Sequence, residues 1–185
     1  MIDWEFAHPI RTERLELRLM TVDDVDAIHA WMSDPEVVRY QMYEPRSREV
    51  VAEKVAEYAN ATHLSVNDSY VQPAIVLDGA VIGAIYFKIH SADDLTAEIG
   101  WVLHRDYHGL GYAREAASAM LDRAFGEIGL HRVFAELDPR NDASIALCLR
   151  LGMREEAYFV EHMMFKGEWA DTGVYGILDR EWLAR

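Results

Sequence analysis

Glu98 to Ala113, EIGWVLHRDYHGLGYA, changes character twice within a few residues, and each change has a chemical use. Glu98 to His104 reads as a buried strand, because Ile99, Trp101, Val102 and Leu103 are apolar and β-favouring. Gly100 inside that run predicts either a bulge or a close backbone approach, and a gap in a ladder is a place a ligand can fill. His108-Gly109-Leu110-Gly111-Tyr112-Ala113 then leads into a helical pattern carried by Ala113, Ala116, Ala117, Met120, Leu121, Ala124, Phe125 and Ile128. The start of a helix presents unpaired N–H groups and the positive end of its peptide dipoles. With glycines removing side-chain bulk, such a loop suits a phosphate. A tight structural turn without a ligand satisfies the same pattern.

The surrounding chain predicts mixed α and β structure. RTERLELRLM, residues 11–20, alternates Leu15, Leu17 and Leu19 with charged residues, the period of a strand with one face on a core. Thr21 caps a helix with Val25, Ile28, Trp31 and Met32 on its apolar stripe, and Asp34-Pro35 ends it. Residues 36–46 are irregular and rich in aromatics (Tyr40, Tyr43), and Ser47 opens a second helix; such a segment either walls a cleft or packs the helix pair. After a loop over 60–69, Tyr70 to Leu77 and Ala80 to His90 form two strands joined by the hairpin signal Asp78-Gly79. A strand over 131–137, a helix from Asn141 or Asp142 to Arg150, and a closing hairpin around Lys166-Gly167 complete the chain. No repeat or linker divides the 185 residues, so one domain over 1–185 is expected, α+β in class, with a sheet that changes strand direction.

Composition excludes several roles. A net charge of −14 with no basic face disfavours nucleic-acid binding. A single cysteine, Cys148, excludes an internal disulfide, and no apolar run approaches the roughly 18 residues of a membrane span. The opening MIDWEFAHPI lacks a basic segment followed by an apolar run, which predicts cytoplasmic residence. The histidines are scattered without an HExxH or CxxC arrangement, so no metal site is expected.

Six blocks in order carry a family resemblance: RTERLELRLMTVDD, SDPEV, IGAIYF, EIGWVLHRDYHGLGYAREA, GLHRVFAELDPRNDASIALCLRLGM and KGEWADTGVYGIL. Together they resemble the GNAT superfamily of acyl-CoA-dependent N-acetyltransferases and, within it, the RimJ/RimL-like branch that acetylates ribosomal-protein N-termini and assorted small amines. The resemblance implies a mostly antiparallel twisted sheet of about seven strands flanked by about four helices, with splayed strands forming the acyl-CoA cleft. It also implies acetyl-CoA as cosubstrate and an amine-bearing small molecule or a protein N-terminus as acceptor, while charge and composition argue for no nucleic-acid and no membrane partner. The sheet edge and the final hairpin are the candidate surfaces for a homodimer, which the sequence leaves open.

By that resemblance the phosphate-binding pattern falls on His108, Gly111 and Ala113, with His108 standing where Gln or Arg is usual, and the N–H groups across Gly109, Leu110, Gly111, Tyr112, Ala113 and Arg114 serve the pyrophosphate. Trp101, Val102 and Leu103 pair with the pantetheine arm like an added strand, and a backbone N–H there polarises the thioester carbonyl. Asn141 bonds the pantetheine amide or only caps its helix; Ser144 protonates the leaving thiolate or only packs. Cys148 stands where many members have a tyrosine acid, and a buried packing residue is the simpler reading. Glu98 is the expected general base, directly or through water. The competing class is a non-catalytic acyl-CoA-binding regulatory domain on the same fold.

Overall fold

The computed structural model describes residues 2–185. Its main sheet has nine strands. In space they run β10 (Arg154–Phe165), β11 (Glu168–Leu178), β9 (Arg132–Leu137), β8 (Thr96–Leu103), β7 (Ala80–Ser91), β6 (Ala74–Leu77), β3 (Leu15–Arg18) and β2 (Ile10–Arg11), with β5 (Tyr70–Val71) also on β7. Every pairing is antiparallel except β8 with β9. A separate two-stranded ribbon joins β1 (Trp4–Glu5) to β4 (His63–Leu64).

Alternation along β7 divides the core. Ile85, Phe87 and Ile89 pack with Ile99 against Ala116, Ala117, Met120 and Leu121 of α4 (Tyr112–Arg123). Ala84 on the opposite face packs with Val76 and Val102 against Ile28, Trp31 and Met32 of α1 (Val25–Met32) and Val51 and Val55 of α3 (Arg48–Asn60). β7 and β8 approach closely at Gly83, where an added Cβ would lie 2.2 Å from the Val102 carbonyl oxygen.

Two hairpins follow their turn residues. Asp78 and Gly79 both take positive φ (48° and 84°), as do Lys166 and Gly167 (49° and 87°), the geometry a two-residue turn needs. Elsewhere the pattern is modified. The alternation over 11–20 is divided by a turn at residues 12–14, held by the Thr12 N–H and the Leu15 carbonyl at 2.9 Å, so Ile10–Arg11 folds back on β3. Thr21 leads into a 3-10 turn, Val22–Asp24, before α1 begins. Pro35 ends that helical run and opens another, α2 (Pro35–Val38), whose first turn is capped by Asp34. The strand expected over 70–77 is interrupted at Pro73, which has no N–H to donate but whose carbonyl accepts from Ile85. Gly100 lies in regular register opposite Tyr86, so no bulge occurs there; the irregularity sits between Ile89 and Ser91. The helix begun at Tyr112 ends in a π-helical turn, Ala124–Ile128, closed by Gly129 at φ 75°. α5 (Asp142–Arg150) and a short α6 (Asp179–Leu183) complete the chain.

Candidate active site

The site is made by two strands that part. β8 and β9 pair in parallel only at Thr96, Ala97 and Glu98, opposite Arg132, Val133 and Phe134. Beyond Glu98 each strand keeps its other neighbour, β7 or β11, so one edge of Ile99–Leu103 is left open. A cavity of about 400 Å³ fills the divergence, lined on the sheet by Tyr86, Lys88, Glu98, Gly100 and Trp101 and across the gap by Leu137, Asn141 and Ser144.

The open edge has a defined direction. The Leu103 carbonyl accepts from Nε2 of His108 at 2.9 Å rather than from β7. Alternate residues of a strand face the same neighbour, so Trp101 presents its N–H and carbonyl to the open side as well. His108 thereby caps the far end of the edge, with its ring turned back toward β8.

After His108 the chain passes Gly109 at φ 75° and Gly111 at φ 84° before entering α4. Both are left-handed conformations that favour glycine. The N–H groups from Gly109 to Arg114 find no acceptor among the described residues. Arg14 braces this loop: it donates to the Leu110 carbonyl at 3.2 Å, pairs with Glu115 at 2.6 Å and lies 4.6 Å from the centre of the Tyr112 ring. Glu115 also accepts from Thr12 at 2.6 Å, and these partners outweigh its burial and hold its carboxyl below the usual range.

On the far side of the gap, Asn141 caps α5: its Oδ1 accepts from the Ser144 N–H at 3.1 Å, leaving its amide nitrogen for another partner. Ser144 Oγ accepts from Nε1 of Trp101 at 3.2 Å. Cys148, one turn further on, is fully buried, and burial pushes its thiol up to about 12. It therefore stays protonated at neutral pH and belongs to the packing.

Glu98 stands where the parallel ladder stops. Its carboxylate lies 3.4 Å from Lys88 Nζ, and each side chain is 24% exposed. Burial lowers the Lys88 ammonium, but the negative groups around it, Glu98 above all, raise it overall. The remaining wall comes from the segment after α2: Tyr40, Met42 and Tyr43 line the cavity, and the Tyr40 hydroxyl donates to the Arg140 carbonyl at 3.2 Å, tying that segment to the turn before α5. The tip of the last hairpin reaches the end of α2, with Lys166 donating to the Val38 carbonyl at 2.9 Å.

Glu98, Trp101, Val102, Asn141 and Ser144 thus line the cavity, while Leu103 and residues 108–114 lie outside its lining, with the His108 bond to Leu103 connecting the loop to the strand. Arg14, Tyr86 and Lys88 belong to the same surroundings and were assigned no role in the sequence, and Lys88 alone lies outside every block that carries the family resemblance. Lys88 could have been found by counting β7 against β8 from their turn, but the irregularity at Ile89 to Ser91 defeats the count.

The sequence profile of the acetyltransferase (GNAT) domain matches residues 14–154. The chain belongs to this GNAT acetyltransferase family. It is 34% identical over 175 residues to the uncharacterized N-acetyltransferase YnaD of Bacillus subtilis (strain 168), covering 94% of this chain and 98% of that one. A GNAT acetyltransferase from Bacillus anthracis superposes with a TM-score of 0.85 at 32% identity, over 94% of this chain and all of the other. The fold is also that of spermidine N-acetyltransferase from Vibrio cholerae, solved with CoA and spermine, at a TM-score of 0.78 and 21% identity over 93% and 99% of the two chains.

A GNAT acetyltransferase takes its acyl group from acyl-CoA, and the geometry fits such a molecule. The unpaired N–H groups of 109–114 at a helix start match the chemistry of a diphosphate. The open edge of β8 matches an extended arm carrying amide groups.

Proposed function

We propose that this GNAT enzyme moves the acetyl group of acetyl-CoA to a primary amine, either a small-molecule amine or a protein N-terminal α-amine, by direct attack on the thioester, as a cytoplasmic member of the RimJ/RimL-like branch. The observation that carries the reading is the convergence of Glu98, the open edge at Trp101 and the Asn141–Ser144 turn on one cavity.

Acetyl-CoA supplies an activated acyl group; the chain supplies position, charge and proton transfer. The N–H groups of Gly109 to Arg114 hold the diphosphate, and His108 fixes the end of the strand from which that loop departs. The free amide nitrogen of Asn141 and the edge of Trp101 to Leu103 orient the pantetheine arm. The Trp101 N–H is the donor available to a carbonyl oxygen as negative charge develops on it. Glu98 takes the proton that the amine loses as its C–N bond forms, directly or through water. Ser144, whose oxygen already accepts from Trp101, retains its own O–H to protonate the sulfur as the C–S bond breaks.

A homodimer through the outer edge at β10, where Tyr158, Phe159 and Val160 are exposed, is part of the same reading. Sedimentation as a monomer at micromolar concentration would remove that part alone.

Calorimetric titration with acetyl-CoA, followed by a thiol-release screen of primary amines and peptide N-termini, tests the whole. Binding with amine-dependent thiol release is expected. Failure to bind would remove the proposal, and binding with no release from any amine would point instead to a non-catalytic acyl-CoA-binding domain.

A further inference from the structure

The acceptor side of the cavity carries little uncompensated negative charge, although the whole chain is strongly acidic. Three carboxylates line the cavity: Glu98, Glu136 and Asp138. Asp138 is taken by Arg140, whose Nε and Nη2 donate to it at 2.9 and 2.6 Å while the Arg140 N–H adds a third bond at 2.9 Å. Glu98 is taken by Lys88 at 3.4 Å. Only Glu136, exposed to solvent, lacks such a cation.

Lys88 is the cation that stands in the wall itself. Its only other close carboxylate is Asp68, at 3.8 Å and largely exposed. The facing surface is aromatic and thioether, with Tyr40, Met42, Tyr43 and Tyr58, and Tyr86 stands beside Lys88 on the same strand. Tyr43 and Tyr86 offer no charge, since burial raises their hydroxyls above their ordinary value and keeps them neutral.

We infer that the acceptor of this site carries a single ammonium on an aromatic or apolar body, and that Lys88 is the specificity residue that turns polyamines away. The inference rests on the acetyl-transfer reading of the cavity and narrows its substrate class. One ammonium can lie against tyrosine faces, release its first proton to solvent to become the neutral amine, and lose its second to Glu98 as the C–N bond forms. A polyamine brings a second ammonium after a short methylene chain, and each ammonium taken out of water needs a carboxylate of its own. Here the carboxylates inside are already matched, and Lys88 repels the extra charge at short range. The chain's overall acidity does not replace that local match, because fields from distant surface charges are screened over about 8 Å at physiological salt.

The test compares two acceptors on one enzyme. Thiol release from acetyl-CoA is measured with phenethylamine and with spermidine at the same pH and ionic strength, and the ratio of their kcat/KM values is taken. Wild-type enzyme should favour phenethylamine by at least about tenfold, roughly the discrimination that one unmatched close charge provides. Lys88→Gln should move the ratio about tenfold toward spermidine, and Lys88→Arg should keep the wild-type ratio. Because both acceptors share Glu98, any effect of Lys88 on the base cancels in the ratio. Lys88→Met serves the same comparison should the glutamine variant fold poorly.

Spermidine used as well as phenethylamine by the wild-type enzyme would overturn the substrate class while leaving acetyl transfer standing. A ratio unmoved by both neutral variants would overturn the role of Lys88. Thiol release from neither amine, nor from any other in a wider panel, would instead strike the transfer reading on which the inference depends.

Discussion

Trp101 donates its indole N–H to the Ser144 hydroxyl oxygen at 3.2 Å, joining two elements that share no backbone pairing at this depth. The bond spans the parting of β8 and β9 and fixes which way the serine can donate. With a lone pair of Oγ engaged, the remaining O–H is free for the cavity. Ser144→Ala should therefore lower kcat roughly ten- to hundredfold, at the low end of acid catalysis because a thiolate leaves readily. The Kd for acetyl-CoA should change little. Steady-state kinetics beside calorimetry checks this, and a kcat within twofold of wild type would reduce Ser144 to a packing residue.

Glu98 is the carboxylate nearest the point where the ladder opens, and a base is required there because the attacking amine must shed a proton. Glu98→Gln preserves size and removes basicity. Turnover should fall about a hundredfold or more while acetyl-CoA affinity stays within about twofold. Unchanged turnover across the pH range would take the proton-acceptor role away from Glu98.

These relationships were unequally legible in the sequence. The glycine loop was readable because Gly109 and Gly111 occupy positions where positive φ excludes most residues, and Asp78-Gly79 and Lys166-Gly167 declared their turns for the same reason. The aromatic segment after Asp34-Pro35 was readable as a cleft wall, and Tyr40 and Tyr43 stand in that wall. Lys88 was hidden because cross-strand register depends on the turn, and the β7–β8 turn carries an irregularity that shifts the count. Arg14 was hidden for a different reason. Its loop contacts join residues about a hundred positions apart, with nothing local to mark them. The interruption at Pro73 could have been taken from the proline itself, since a strand ladder needs the N–H that proline lacks.

Cys148 separates direct attack from a covalent acyl-cysteine route. Desolvation in the core raises its thiol to about 12, so the thiolate is scarce at neutral pH, and no activating base contacts it. Cys148→Ala should keep kcat/KM within about threefold, with any loss appearing as stability of about 1 kcal/mol from the smaller side chain. Native protein should also resist thiol reagents until it unfolds. Abolished turnover in a folded Cys148→Ala variant would reopen the covalent route.

A pair remote from the chemistry anchors the start of α1. Asp24 ends the turn that leads into α1, and it accepts from both Nη atoms of Arg18 at 2.7 Å and from the Thr21 N–H at 2.7 Å. Burial raises its carboxyl, but the bonds from Arg18 and Thr21 outweigh burial and hold it below the usual carboxylate value. A depressed folded pKa means that the interaction contributes fully above the unfolded value of about 3.9 and is lost as pH falls through the folded one. Asp24→Asn should cost about 2 kcal/mol at neutral pH, less than for a fully buried pair because Arg18 is partly exposed. The gap between variant and wild type in urea midpoint should hold from pH 7 to about 5 and narrow below about 4, as wild-type Asp24 takes up its proton. A gap that stays constant down to about pH 3 would show that packing at this turn, rather than the ionised pair, holds α1 against the sheet.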